Sequence, residues 1–257
     1  MQVSLLGPFD VRAGARPVRF SRPRQRAVFA ALALSANRPV NAEAIVDMLW
    51  GWSPPAAARN QIQVHISHIR KRLREVGADD RLETRTDGYV LRPVRSDVEV
   101  FTSLADEAAG DFRAHRYHSA ADGCRRALQA WSGPALSGLD AEFVSGQARI
   151  LEEQRSVVFR RLVDLELNFG HFEALIPELT EAVQKDPLDD GLRLRLMTAL
   201  QRSGRSADAL DVYQDGRRQL NRELGLDPTR MLQNAETAVL HSRPIEHEAW
   251  DFGDSTD

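Results

Sequence analysis

Cysteine is almost absent from this 257-residue chain: Cys124 stands alone. One cysteine closes no intrachain disulfide, so a disulfide-stapled secreted fold is excluded and a reducing cytoplasm fits. Long apolar runs are missing as well. The longest uncharged stretches of the first half, Ala27 to Asn37 and Met48 to Ala58, fall far short of the ~20 apolar residues that span a bilayer. The N-terminal MQVSLLGPFDV has no basic leader and reads as a strand, so neither secretion nor a membrane is expected. Lysine is scarce, with only Lys71 and Lys185 among 34 cations, a codon bias that says nothing about mechanism. Neither G-x-x-x-x-G-K-[ST] nor G-x-G-x-x-G occurs, so no cradle for a nucleotide cofactor is visible. His65/His68 and His115/His118 have a chelating spacing but lack a third ligand, so no metal is expected. Asp189-Asp190 and Glu152-Glu153 read as solvated helix faces, and Cys124 as a core residue. No enzymatic activity follows from any of these.

What is present is an ordinary globular composition, 42% hydrophobic and 28% charged, long enough for one or two domains. The formal net charge of −3 conceals an asymmetry. Residues 1–95 carry 16 basic and 8 acidic side chains, net +8, and the remainder is net −11. Two modules with different partners are implied, the basic one suited to a polyanion.

Along the basic module, Val3 to Leu6, Phe9 to Val11 and Val18 to Phe20 alternate with turns and predict a small antiparallel sheet of two or three strands. Ser21 is placed to cap a helix that runs to about Ser35, with Pro23 in its first turn. Asn41 caps a short helix over Glu43 to Trp50, and a long helix follows from about Ala56 to Val76, ended by Gly77. Leu82 to Arg85 and Tyr89 to Arg92 flank Asp87-Gly88, a hairpin signal. Sheet, three helices and hairpin make a helix-turn-helix with a β-wing.

At about 100° per residue, Ile62, Ile66, Ile69 and Leu73 fall within ~60° of one another and must face the core. The opposite side of that helix carries Asn60, Val64, Ser67, His68 and Lys71, with Gln61, His65 and Arg72 on a flank. Any exposed helix is polar outside. This one follows a short helix, precedes a hairpin and ends in the basic run Arg70-Lys71-Arg72. Asn60, Gln61, Val64 and His68 are therefore the expected base readers in a major groove. Arg24, Arg26, His65, Ser67, Arg70, Lys71 and Arg72 are the expected phosphate contacts, and Arg85 and Thr86 the wing contacts with an adjacent minor groove. Trp50 reads as a core anchor and Trp52 as the more exposed of that pair.

LLGPFDV, SRPRQRAVFAALAL, LWGWSPPAAARNQIQVHISHIRKRL and TRTDGYVL resemble the winged-helix DNA-binding domain of OmpR-type regulators. With ELGLDP (Glu223 to Pro228), the chain most resembles the Streptomyces antibiotic regulatory proteins over residues 1–243. These carry a bacterial transcriptional activator domain behind the winged helix and lack a phosphoacceptor domain.

The second half fits on its own terms. Pro93 to Asp97 reads as a linker, and from Phe101 on the apolar spacing is helical. Gly170-His171-Phe172 recurs as Gly204-Arg205-Ser206 after 34 residues, the tetratricopeptide period. A degenerate third copy near Tyr117, Ala120 and Ala127 implies an inserted helix or two near Leu151 to Leu167. The expected architecture is α+β followed by all-α: a winged helix-turn-helix over 1–94, a tetratricopeptide-like helical domain over 98–243, and an acidic flexible tail over 244–257. The resemblance implies a cytoplasmic activator of secondary-metabolite genes. Its partners would be direct repeats in double-stranded promoter DNA near a −35 element, RNA polymerase with its σ subunit, and further copies of itself bound through the helical domain. A repressor of the same fold, or a tetratricopeptide scaffold with a nucleic-acid tether, are the alternatives.

Overall fold

Apolar alternation makes Gln2–Ser4 a strand, β1, with Val3 buried. It pairs antiparallel with β2 (Asp10–Ala13), which pairs with the two-residue β3 (Arg16–Pro17). Three helices follow: α1 (Pro23–Leu34), α2 (Ala42–Trp50) and α3 (Ala58–Glu75). A single 3₁₀ turn, Asp79–Arg81, leads into the hairpin β4 (Leu82–Arg85) and β5 (Gly88–Leu91). The computed structural model describes residues 1–92 and 94–245. These form two compact units, Met1–Ala114 with Asp122–Val158, and His115–Ala121 with the residues from Phe159 on. Most of the tail expected over 244–257 lies outside the described residues.

Local chemistry explains most boundaries. Asn41 caps α2 by accepting from the Ala44 N–H at 2.7 Å. Ser21 does not cap α1. The N-cap is Arg22, extended and making no side-chain cap bond, with Pro23 as the first helical residue. In the hairpin Arg85 pairs with Gly88, so Thr86 and Asp87 are the turn and Gly88 opens β5. Gly88 is required for another reason. Its φ is +141°, and a Cβ there would collide with the Val40 carbonyl, to which the Tyr89 N–H donates at 2.9 Å.

The segment read as a linker is a joint. Arg95–Ser96 forms β6, parallel to β1, which gives a four-stranded sheet in the order β3-β2-β1-β6. Ser96 caps α4 (Asp97–Arg113) by accepting from Glu99 N–H. The Asp97 carboxylate accepts from the N–H groups of Leu5 (2.8 and 2.9 Å) and Leu6 (3.0 Å). Burial pushes that carboxyl above its ordinary range, against the opposite pull of the backbone donors. Residues 132–137, between α5 (Tyr117–Leu128) and α6 (Glu142–Asn168), donate back to the carbonyls of Leu5, Leu6 and Gly7. The first unit therefore extends well past residue 95.

In the second unit, α7 (Phe172–Lys185) with α8 (Asp190–Arg202) is followed by α9 (Ser206–Leu224) with α10 (Arg230–Leu240). Gly170 and Gly204, both at positive φ, precede the two pairs. Leu175, Leu179, Met197, Ala209 and Tyr213 share one core with Leu232 and Val239. The stretch from Leu151 to Leu167 belongs to a single long helix, α6. Among the described residues, no helix is long and apolar enough to cross a membrane.

Arg193 is 2% exposed and its guanidinium donates to the carbonyls of Pro187 (2.7 Å) and Val212 (3.2 Å) and to Gln219 Oε1 (2.5 Å). Burial lowers its pKa, while Asp190 and Asp215 raise it. The side chain lies across Gly216, where a Cβ would land on its Cδ and Nε. In an open helix, Gly→Ala gains about 1 kcal/mol from propensity. Here the overpacking cost, about 1–3 kcal/mol, should outweigh that gain. Urea unfolding should show Gly216→Ala destabilised and Gly146→Ala, with open space around its Cβ, stabilised. Equal gains in both would mean that Arg193 moves aside freely.

Candidate nucleic-acid interface

Four side chains fix the rotation of α3. Ile62, Ile66, Ile69 and Leu73 are all 2% exposed or less. The other side of the helix is left to solvent: Asn60, Gln61, Val64, Ser67 and Lys71 are exposed. Val64, at 49%, is an exposed aliphatic among amides and cations, the kind of group that meets a thymine methyl.

The basic residues fall into two kinds. Arg24 donates to the Leu49 carbonyl at 3.0 Å and lies over the Trp50 ring at 5.4 Å, and so ties α1 to α2. Arg70 donates to the Leu82 carbonyl at 3.1 Å and to Thr84 Oγ1 at 2.6 Å, and so ties α3 to the wing. Both are staples in this structure. Arg26 rests over Phe9 at 5.6 Å. Arg72 pairs with Glu75 and Arg85 with Glu83, each at 2.9 Å. Exposed pairs of this sort are worth about 0–1 kcal/mol, so an arriving phosphate can displace the carboxylate. Lys71 and Thr86 are exposed.

The two histidines of α3 do not face solvent as expected. His65 is 9% exposed, with its Nδ1 buried and unpartnered. The fold covers that flank at His65 itself, so its ring does not offer the phosphate contact expected of it. His68 is half-buried, and its Nδ1 lies 3.1 Å from Nε2 of Gln25 on α1. Sequence reasoning missed Gln25 and also Gln63. Gln63, Ser67, Lys71 and Arg74 of α3 line a groove with Thr84 and Tyr89 of the wing. Gln63 lies three residues from Asn60 and four from Ser67, the helical spacing that marks a shared side. Trp52, between α2 and α3, is fully exposed. Among the described residues, no group of three or more His, Cys, Asp or Glu side chains could hold a metal.

Burial holds the His65 pKa below its ordinary value, and the neighbouring His68, Arg22 and Arg24 lower it further. The unfolded chain therefore binds this proton more readily than the folded one. The stabilising contribution is whole above pH about 6.5 and is lost as pH falls toward the folded value. Between pH about 7.5 and 5.5, the thermal midpoint of the wild type should drop more than that of His65→Leu. Parallel curves would exclude His65 as the source of the acid sensitivity.

Comparison with known proteins identifies both modules of the chain. A family model described as "Transcriptional regulatory protein, C terminal" matches residues 17–91, and one described as "Bacterial transcriptional activator domain" matches residues 96–240. Regulatory protein DnrI of Streptomyces peucetius is 33% identical over 95% of this chain and 93% of its own length. Regulatory protein AfsR of Streptomyces griseus is 34% identical over 97% of this chain, which spans 26% of that longer protein. A solved structure, Mycobacterium tuberculosis EmbR in complex with low affinity phosphopeptide, matches with a TM-score of 0.84 and 31% identity. That match covers 95% of this chain and 66% of the other. With both family models matched in order, and with these identities along nearly its whole length, the chain belongs to the Streptomyces antibiotic regulatory protein family, transcriptional regulators that join an OmpR-type winged helix to a bacterial transcriptional activator domain.

Proposed function

We propose that this regulator is an activator that reads promoter DNA through α3 and holds RNA polymerase in place through its helical surface. The observation that carries the reading is the exposed side of α3, where Asn60, Gln61 and Val64 precede Ser67 and Lys71. Amides pair with adenine edges, and an aliphatic group meets a thymine methyl. The wing adds Arg85 and Thr86 for an adjacent minor groove, and Arg72 and Lys71 add phosphate contacts. The α1 N-terminus, uncapped by any side chain and flanked by Arg22 and Arg24, offers backbone N–H groups to a phosphate.

The family suggests direct repeats near a −35 element, with neighbouring protomers in contact through their helical domains and with polymerase and its σ subunit. It also suggests a cytoplasmic role in secondary metabolism. Net −11 beyond residue 95 argues that this part adds affinity through protein contacts, by raising effective concentration on paired repeats.

Alanine at Asn60 or Gln61 should cost about 1–3 kcal/mol on the specific site and little on random duplex. Lys71→Ala should weaken both alike and lower the salt slope by about 0.9. Arg85→Ala should lose most where the flanking groove is narrow and A·T-rich. Gel-shift titrations at several salt concentrations read all three. Equal losses for Asn60→Ala on specific and random DNA would remove it from base reading. Run-off transcription with purified polymerase should rise with added protein. A fall would make it a repressor, and no sequence-specific footprint at all would leave a scaffold with a nucleic-acid tether.

A further inference from the structure

Gln25 lies between Arg24 and Arg26, just ahead of the apolar stretch of α1, whose six residues from Ala27 to Leu32 are each 1% exposed or less. Gln25 itself is 4% exposed, too deep to meet a base. A buried amide needs a partner, and this one finds it on α3, where its Nε2 stands 3.1 Å from His68 Nδ1. An amide nitrogen only donates. His68 Nδ1 must therefore accept, which places the proton of the neutral imidazole on Nε2. Nε2 is separated from Nδ1 by one ring carbon, so its N–H is directed away from the Gln25 amide.

We propose that Gln25 is a positioning residue for DNA readout: it fixes the His68 tautomer so that the ring offers an Nε2–H donor to a base acceptor at one position of the operator. The acceptors available in a major groove are purine N7, guanine O6 and thymine O4. A histidine free to exchange tautomers would accept at Nε2 as readily as donate, and would also tolerate the amino groups of adenine and cytosine. Holding the donor form thus turns a permissive contact into a selective one. The inference rests on the reading of α3 as the base-reading helix and adds a residue that touches no DNA.

Two independent measurements test it on the full chain. The first needs no DNA. Long-range proton–nitrogen spectra of histidine-labelled protein, with His68 assigned by its loss in His68→Ala, report which nitrogen carries the proton. The wild type should show the Nε2–H form, and Gln25→Met, similar in volume and without a donor, should lose that bias. A proton on Nδ1 would mean that the amide is reversed and accepts through Oε1, which overturns the proposal.

The second measurement ranks single-base variants of the site selected from random duplexes. Gln25→Met should relax discrimination by about five- to tenfold at one position and leave random-duplex affinity unchanged. His68→Ala should relax the same position, and the double variant should do no more than His68→Ala alone. A loss spread evenly over all positions would mark Gln25 as a packing residue only and overturn the positioning role. If His68→Ala moves no position while Asn60→Ala moves one, this inference fails and the reading of α3 stands. If neither moves any position, the reading of α3 fails with it.

Discussion

The burial of one apolar stripe on α3 governs most of what this protein can do. Ile62, Ile66, Ile69 and Leu73 leave water almost completely, and burying each is worth about 1.5–3 kcal/mol. Together that is comparable with the whole net stability of a domain, about 5–15 kcal/mol. The helix therefore has a single rotation about its axis. That rotation sets Asn60, Gln61 and Val64 outward, turns His65 and His68 toward the N-terminal part of α1, and brings Arg70 to the wing. A shift of the stripe would exchange all of these roles together.

A second constraint holds the N-terminal sheet in place. β1 is three residues long, too short to hold itself. Its continuation, Leu5 and Leu6, is fastened by the Asp97 carboxylate and by backbone donors from residues 132–137. Winged helix and activator-domain helices thus share hydrogen bonds at the end of the N-terminal strand. The family-model boundary between residues 91 and 96 falls inside that joint, within one compact unit. Any truncation near residue 95 cuts β6 and removes Asp97.

Much of this was legible in the sequence where the cause is local. The Asn41 cap, the α3 stripe and the two-strand wing follow from spacing within a few turns, and the recurrence of Gly170 at Gly204 from a fixed 34-residue period. The joint was not legible, because Leu5 and Asp97 are 92 residues apart and nothing local marks a carboxylate as a cap for a distant strand. The cations were legible as a cluster but not individually. Whether an arginine is a staple, as Arg24 and Arg70 are, or an exposed pair, as Arg72 and Arg85 are, depends on which carbonyl or carboxylate the fold brings near. The role of Gln25 is not legible in the sequence, because an amide between two arginines has no meaning until its partner on α3 is placed. Ser21 is not the cap because Pro23 is the first helical residue, which makes Arg22 the N-cap.

The most direct test of the central claim uses the scarcity of thiols. Cys124 is fully buried, so a cysteine at the exposed position Ser67 would be the one reactive thiol among the described residues. With Ser67→Cys carrying an iron-chelate cleavage reagent, bound promoter duplex should be cut inside the protected half-site, with the strand offset of a major-groove source. Cuts scattered evenly along the duplex, or clustered with a minor-groove offset, would contradict the placement of α3 in the major groove.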